Sequence, residues 1–366
     1  MPLVPLVGQE SLQSRLRAAI ASDALPASLL LHGPRGVGKQ RAAIWLAQVL
    51  LCQSDSARQT GEPCGQCNGC RFSANLTHPD MHWIFPRPRA KDSTLTPEEA
   101  REDFAEAIAD RVQEAGLYET PAGDEGIFVA AVRALVQSAV LSPALGGGRR
   151  KVLIVGDAER MVPQEGSDAA ANAFLKLLEE PPADTAIILT SSEPGALLPT
   201  IRSRVVSMRV PPVSEQAIRT FLEDKYVRHR LELGSAPEAR RIEELVTLAG
   251  GAPGRLLSFE ATQTALTEAR RLLDAARDPD RGVRMRAALG QGVSKARGRF
   301  SDTLDALTAV LHASARAAAE RGDGEAAMGA AHAVEIVEES KAHAAGNVNP
   351  QLVAASLMTR IGAVLR

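Results

Sequence analysis

Residues Gly33-Pro34-Arg35-Gly36-Val37-Gly38-Lys39-Gln40 fit the phosphate-cradling spacing G-x-x-x-x-G-K-[ST] at every fixed position except the last. In such a loop, successive backbone N–H groups face phosphate oxygens. The following helix adds its positive N-terminus, and the lysine reaches the β- and γ-phosphates. Ser or Thr in the eighth place supplies the hydroxyl that ligates Mg²⁺. Gln40 stands there instead, so this loop is equipped to bind a nucleotide and poorly equipped to hydrolyse it. Ser28-Leu29-Leu30-Leu31-His32 before the loop reads as a short buried parallel strand, and a helix is expected over Lys39 to Leu51. A glycine-rich strand-to-helix turn without a ligand is the bland alternative.

A second chemical signal follows directly. Cys52, then Cys64-Gly65-Gln66-Cys67-Asn68-Gly69-Cys70, place four thiols within residues 52–70. Two overlapping C-x-x-C turns and one upstream cysteine make the full complement for tetrahedral Zn²⁺ in a closed structural site. Unligated thiols or a redox pair are the alternative. His78 and His82 are read as surface or strand residues, because the cysteines already complete the shell.

The elements that must position these groups are legible further along. Ile127–Ser142 has the spacing of an amphipathic helix, with Ile127, Val132, Leu135, Val136 and Val140 on its stripe. Lys151–Val155 reads as a second buried strand, followed by Gly156-Asp157. A strand end of this kind carries a carboxylate for Mg²⁺ in nucleotide hydrolases, often with a second acid beside it. Only Asp157 stands there, with Glu159 two residues on. A helix over Asp168–Glu180 and a strand over Ala186–Thr190 follow, and then Ser191 and Ser192. Strands and helices alternating after a phosphate loop predict a doubly wound α/β domain.

A chain of 366 residues suggests two or three domains, and 45% apolar residues suffice for ordinary cores. Aromatics at 3%, against abundant Ala and Leu, favour a helix-rich protein. The net charge of −2 argues against a chain that coats nucleic acid on its own. Met1–Glu10 lacks the pattern of a signal peptide, no apolar run reaches membrane-spanning length, and a cytoplasmic, non-membrane protein is expected. Four clustered cysteines do not read as a secreted disulfide framework.

Residues 86–126 change character, with Pro86-Arg87-Pro88-Arg89, a charged helical stretch around Pro97–Ala115 and a Gly/Pro/Asp-rich loop. The segment reads as a solvated surface insertion. Pro211-Pro212 marks a boundary, so residues 1–210 form the nucleotide-binding-like domain. Residues 211–264, with Ile218, Phe221, Leu222, Ile242, Leu245 and Leu248, suit a small helical lid. Residues 265–366 suit a helical bundle, in which Leu304, Leu307, Val310 and Leu311 are candidates for a stripe serving both core and partner.

The segments Asn172–Pro182 (NAFLKLLEEPP) and Leu198-Pro199-Thr200-Ile201-Arg202-Ser203-Arg204 resemble the AAA+ subunits of the bacterial replicative clamp loader. The cysteine cluster is similar to that family's zinc module. Gly251–Arg255 resembles its sensor-2 region, and Asn347-Val348-Asn349-Pro350-Gln351-Leu352 its final collar helix. The resemblance implies a P-loop doubly wound domain with a zinc module, a helical lid and a C-terminal helical collar. Motor subunits of the gamma/tau type carry a complete loop and a strand-end Asp-Glu pair. Stator-like delta-prime subunits have decayed nucleotide residues and keep a Ser-Arg finger. Gln40, Gly156 and an intact Ser203-Arg204 resemble the second pattern, although the cysteine usual after that arginine is Val205.

The resemblance implies a division of roles. Arg204, preceded by Ser203, would reach in trans into a neighbouring motor subunit's ATP site. Gly33, Gly36, Gly38, Lys39, Gln40, Asp157, Ser191 (or Ser192) at the sensor-1 place and Arg255 would form the chain's own nucleotide site. Cys52, Cys64, Cys67 and Cys70 would hold structural Zn²⁺. ATP or ADP would bind statically if at all, with Mg²⁺ short of its usual ligands. The implied partners are gamma/tau and delta subunits in a heteropentamer, the sliding clamp and primed DNA. The alternatives are an active gamma/tau-type motor subunit and an independent AAA+ DNA-repair ATPase.

Overall fold

The computed structural model describes residues 3–88, 95–119, 125–144, 151–161, 169–234, 239–291, 297–345 and 349–365. Arg89, Asp168, Asn347 and Val348 lie outside them. Two compact units divide the chain, Met1–Leu257 and Ser258–Arg366.

The first unit begins with α1 (Glu10–Ala21), β1 (Ser28–His32) and α2 (Lys39–Leu51), followed by α3 (Asp55–Thr60) and α4 (Asn68–Ala74). Next come β2 (Met81–Ile84), α5 (Pro97–Gln113), α6 (Val129–Val140), β3 (Lys151–Val155), α7 (Ala169–Glu179) and β4 (Thr185–Ser191). After α8 (Pro199–Arg202) and β5 (Val206–Arg209), three helices close the unit: α9 (Glu215–Glu223), α10 (Lys225–Arg230) and α11 (Ala239–Ala249).

All five strands run parallel in the order β2-β3-β4-β1-β5. Leu30 of β1 sits opposite Leu189 of β4 and Ser207 of β5. Leu29–Leu31 and Val152–Val155 are completely buried, as their uninterrupted apolar runs require in a sheet covered on both faces. This is the parallel α/β architecture that the AAA+ resemblance implies. The chain leaving β1 travels to the far edge at β2, while the chain leaving β4 passes the other way to β5. That divergence opens a crevice at the carboxyl ends of β1 and β4, the place where open α/β sheets bind ligands.

The reading of 86–126 as a solvated surface insertion is corrected for the described part of that segment. Thr96 and Glu99 form a reciprocal capping box, and Pro97 begins α5. Ala100, Phe104 and Ala107 then follow at helical spacing and are buried, with Phe104 and Ala107 in the main core. Ala115 and Leu117 pack with Val4 and with Ile218, Phe221 and Leu222 of α9 and Leu245 of α11. A stripe of two alanines and one phenylalanine among nine charged or amide neighbours is too narrow to outweigh the segment's polarity in a sequence window. Strand β2, only four residues long and interrupted by His82, left an equally weak trace.

The second unit consists of α12 (Phe259–Arg277), α13 (Arg281–Leu289), α14 (Arg297–Glu320), α15 (Gly324–Ala345) and α16 (Pro350–Val364). Asn349 caps α16 by accepting from the Gln351 N–H at 2.9 Å, with Pro350 at the first helical position. Leu304, Leu307 and Leu311 are fully buried among Leu272, Ile336, Val337 and Leu357, and Val310 packs against them. The suggestion that this stripe also faces a partner is therefore corrected: it fills the unit's own core.

Candidate functional site

The loop after β1 is anchored at its base on both flanking strands. The Gly33 N–H donates to Ser191 O at 3.2 Å, and the Val210 N–H donates to His32 O at 2.8 Å. A Cβ at position 33 would lie 2.2 Å from the Val210 carbonyl oxygen, so only glycine fits. Gly36 and Gly38 take left-handed φ values of +79° and +94°, a region that side chains disfavour. Gly36 O accepts from the Gly254 N–H at 2.8 Å, and a Cβ at Gly36 would meet the Arg255 amide nitrogen at 2.7 Å. Arg255 thus meets the loop through its backbone.

Lys39 is buried, and its Nζ donates to Gly33 O at 2.9 Å, Pro34 O at 3.0 Å and Ser192 Oγ at 2.8 Å. Ser192, rather than Ser191, therefore presents its hydroxyl to the loop lysine. Alternation along β4 turns Ser191 the other way, where its buried Oγ accepts from the Glu193 N–H at 3.1 Å. Glu159 accepts from the Ser192 N–H at 2.9 Å, while its other carboxylate oxygen is buried without a hydrogen bond. Burial, and then neighbouring Asp157, push the Glu159 carboxyl above the usual carboxylate range. Only the fold brings Glu159 and Ser192 together, so no spacing in the sequence marked the pair.

Gln40 is also buried and fully engaged. Its Nε2 donates to Asp157 Oδ2 at 2.8 Å, and its Oε1 accepts from Trp83 Nε1 at 3.1 Å. Asp157 itself adopts φ 48°, ψ 56° directly after Gly156. Trp83 stands at 4.8 Å from the Phe85 ring, and the Arg111 guanidinium carbon lies 4.7, 3.3 and 3.8 Å from the ring centroids of Trp83, Phe85 and Tyr118. Burial lowers the Arg111 pKa to about 10. A cavity opens at the loop, and its lining includes polar Lys39, Gln40, Asp157 and Ser192 and apolar Val4, Leu6, Phe221 and Leu257. A lining of both kinds suits a ligand with a charged end and a flat apolar end.

The four cysteines converge. Their sulfurs all lie within 4.8 Å of one another, and among the described residues they form the group able to hold a metal ion. Cys52–Cys67 and Cys64–Cys70 sulfur pairs stand 3.9 Å apart. A tetrahedron with Zn–S bonds of about 2.3 Å has edges of about 3.8 Å, so the donor set fits such an ion. Backbone N–H groups of Gln53, Cys64 and Cys70 point at the sulfurs at 3.2–3.3 Å. Backbone donation from Gln66 and then Cys67 draws the Cys64 thiol down to about 6. His78 is buried and accepts from the Asp80 N–H through Nδ1, and His82 sits in β2; neither joins the sulfurs.

Arg204, following Ser203 at the end of α8, lies apart from the residues that line the cavity. Its Nη2 pairs with Glu179 Oε1 at 2.7 Å, and its Nη1 donates to Thr200 O at 2.8 Å and Ser203 Oγ at 3.2 Å. Its side chain keeps 32% of its surface exposed.

A family model described as "DNA polymerase III, delta subunit" matches residues 8–214. The chain is 36% identical over 224 residues to "DNA polymerase III subunit delta'" of Pseudomonas aeruginosa, covering 61% of this chain and 52% of that protein. It is 31% identical over 232 residues to the protein of the same name in Escherichia coli strain K12, covering 63% and 54%. "DNA polymerase III subunit gamma/tau" of Mycobacterium tuberculosis is 30% identical over 199 residues, 54% of this chain and 27% of that protein. The matched region spans about half the length of these delta' relatives.

Proposed function

This chain belongs to the DNA polymerase III delta-subunit family, and from that premise we propose that it is a delta-prime-type subunit of a bacterial clamp loader that does not itself hydrolyse ATP. It would assemble in the cytoplasm with gamma/tau and delta subunits, in a heteropentamer that loads the sliding clamp onto primed DNA. Residues 1–210 would be its AAA+ domain, 211–257 its lid and 258–366 its collar; the boundary expected at 264 moves to 257 because α12 runs unbroken over Phe259–Arg277.

The carrying observation is a division within one chain. Gln40, which lines the cavity over Lys39, and Gly156, which lies against the Gln40 side chain, stand where a hydroxyl and an acid would serve hydrolysis, while Arg204 is not among the residues lining that cavity. An arginine so placed is available to a site on another molecule. Its planar guanidinium stays charged and donates in a fork, which suits the charge that spreads over a transferring γ-phosphoryl group. Thr200 O and Ser203 hold it from one side, and its pairing with exposed Glu179 is weak enough to exchange for a phosphate.

Within the chain's own cavity, the Gly36 and Gly38 amides, Lys39 and Ser192 would hold a nucleotide's phosphates. Val4, Leu6 and Leu257 would cover its base. Cys52, Cys64, Cys67 and Cys70 would hold Zn²⁺ as a structural ion.

Two measurements test the reading. The purified chain is expected to show no ATP turnover above background, and a rate near that of P-loop ATPases would overturn it. In the reconstituted assembly, Arg204→Ala is expected to lower turnover at the one ATP site it completes by about 10³-fold or more and so to reduce the total DNA-dependent ATPase by that site's share; an unchanged rate would show that Arg204 is no finger.

A further inference from the structure

The two departures from the hydrolytic pattern, at positions 40 and 156, lie far apart in sequence but touch in space. A Cβ built on Gly156 would stand 2.4 Å from Gln40 Oε1 and 2.6 Å from its Cδ. No side chain fits at 156 while the Gln40 carboxamide keeps its place. That place lies between the eighth loop position and the strand end, the two positions from which P-loop NTPases hold their Mg²⁺.

The carboxamide is fixed there in one orientation. The Trp83 indole can only donate, so Gln40 must turn its oxygen to Trp83 and its NH₂ to Asp157. The amide N–H thereby meets Asp157, the contact a cation would otherwise make, while Glu159, the other carboxylate lining the cavity, is turned to the Ser192 N–H. Trp83 is itself held by the Phe85 ring and by Arg111 from α5, which gives the 86–126 segment a structural part in the arrangement. The residues present do not fit Mg²⁺.

We propose that Gln40 and Gly156 are a single coupled replacement: the Gln40 carboxamide, clamped by Trp83 and Asp157 over the bare Gly156 backbone, closes the metal position of this P-loop. Each position constrains the other. An acid at 156 collides with Gln40, and removing Gln40 leaves Asp157 and the Trp83 N–H without their partner. The proposal extends the non-hydrolysing role proposed above by naming what excludes the metal.

A double-mutant cycle tests the coupling. Wild type, Gly156→Ala, Gln40→Ala and the double variant would be melted while tryptophan fluorescence is followed. The two tryptophans, Trp45 and Trp83, both lie in the first unit and report on it alone. Gly156→Ala in the wild-type background must dislodge the carboxamide from two buried hydrogen bonds, and its expected cost is a drop in Tm of about 3–8 °C. In the Gln40→Ala background the same change is expected to cost less than about 2 °C, because its collision partner is gone. Equal drops in both backgrounds would overturn the proposal.

A second measurement does not depend on the variants folding. Mn²⁺, the spectroscopic stand-in for Mg²⁺, would be titrated into wild-type protein with ADP and followed by electron paramagnetic resonance. The expected result is no protein-bound Mn²⁺ beyond that carried by a Lys39→Ala control; a stoichiometric bound signal that requires Lys39 would overturn the proposal. If the purified chain turned over ATP, the non-hydrolysing role would fall, and if Arg204→Ala left the assembly's ATPase intact, the finger role would fall; the double-mutant cycle reads the coupling between positions 40 and 156 independently of both.

Discussion

Lys39 spends its hydrogen bonds on its own loop and on Ser192, and the loop's geometry therefore does not wait on a ligand to hold its shape. The motif made that lysine legible in the sequence. The choice between Ser191 and Ser192 as its partner was not, because a single residue of separation at a strand end decides which hydroxyl faces the crevice. His82 offers a prediction at the same scale. Burial, then the charge of Lys151, lowers its pKa from 6.5 to about 4; Arg101 and His78 act in the same direction and Asp80 opposes them. Between those values the unfolded chain binds a proton that the folded chain does not. Stability should therefore fall as pH drops from 6.5 toward about 4. His32 and His78 shift the same way and add to the slope. The urea midpoint followed by tryptophan fluorescence should decline less steeply with acidification in His82→Gln than in wild type. Identical slopes would remove His82 as a source.

Among the elements, the cysteine turn was the most legible and α5 the least. C-x-x-C spacing brings sulfurs to one metal by local turn geometry alone, so sequence neighbours suffice to specify it. Helix α5 buries Phe104 against Phe85, residues that no local pattern connects. The cysteine module yields its own expectation. Purified protein should carry about one zinc per chain, and Cys70→Ser should lose most of it, because a three-thiolate shell leaves a tetrahedral ion open. With Cys52 and Cys70 forming the module's small buried core, removal of the metal should expose residues 52–76 to protease. Metal content by mass spectrometry and the position of the first cleavage check both. A resistant, metal-free module would show that the thiols fold this turn unaided.

For the molecule as a whole, the two compact units each own a core, one around the parallel sheet with a lid cluster beside it and one among α12–α16. No helix among the described residues is long and apolar enough to cross a membrane. Leu304 is fully buried in the second core, and Leu304→Ala should cost about 2–5 kcal/mol there through lost contacts and a residual cavity. Since both tryptophans belong to the first unit, the loss should appear as an earlier helical transition by circular dichroism, with the fluorescence transition unmoved. A matching shift in fluorescence would mean that the units unfold together.

By itself the sequence determined the parallel α/β framework, the phosphate loop, the cysteine cluster and the helical character of the last hundred residues. Each of these is written in short-range spacing: an apolar run, a glycine pattern, two C-x-x-C turns, a 3.6-residue period. Tertiary structure alone decided that the polar segment 86–126 supplies core and buttress, that Ser192 rather than Ser191 meets Lys39, and that Leu304 and its neighbours face inward. It also decided what Gln40 means. The loop motif marks that glutamine as a missing hydroxyl, but only the parallel packing of β3 beside β4 and of α2 across them sets its carboxamide against Gly156, Asp157 and Trp83. Contacts between residues so distant in the chain follow from topology and shape, which no local pattern encodes.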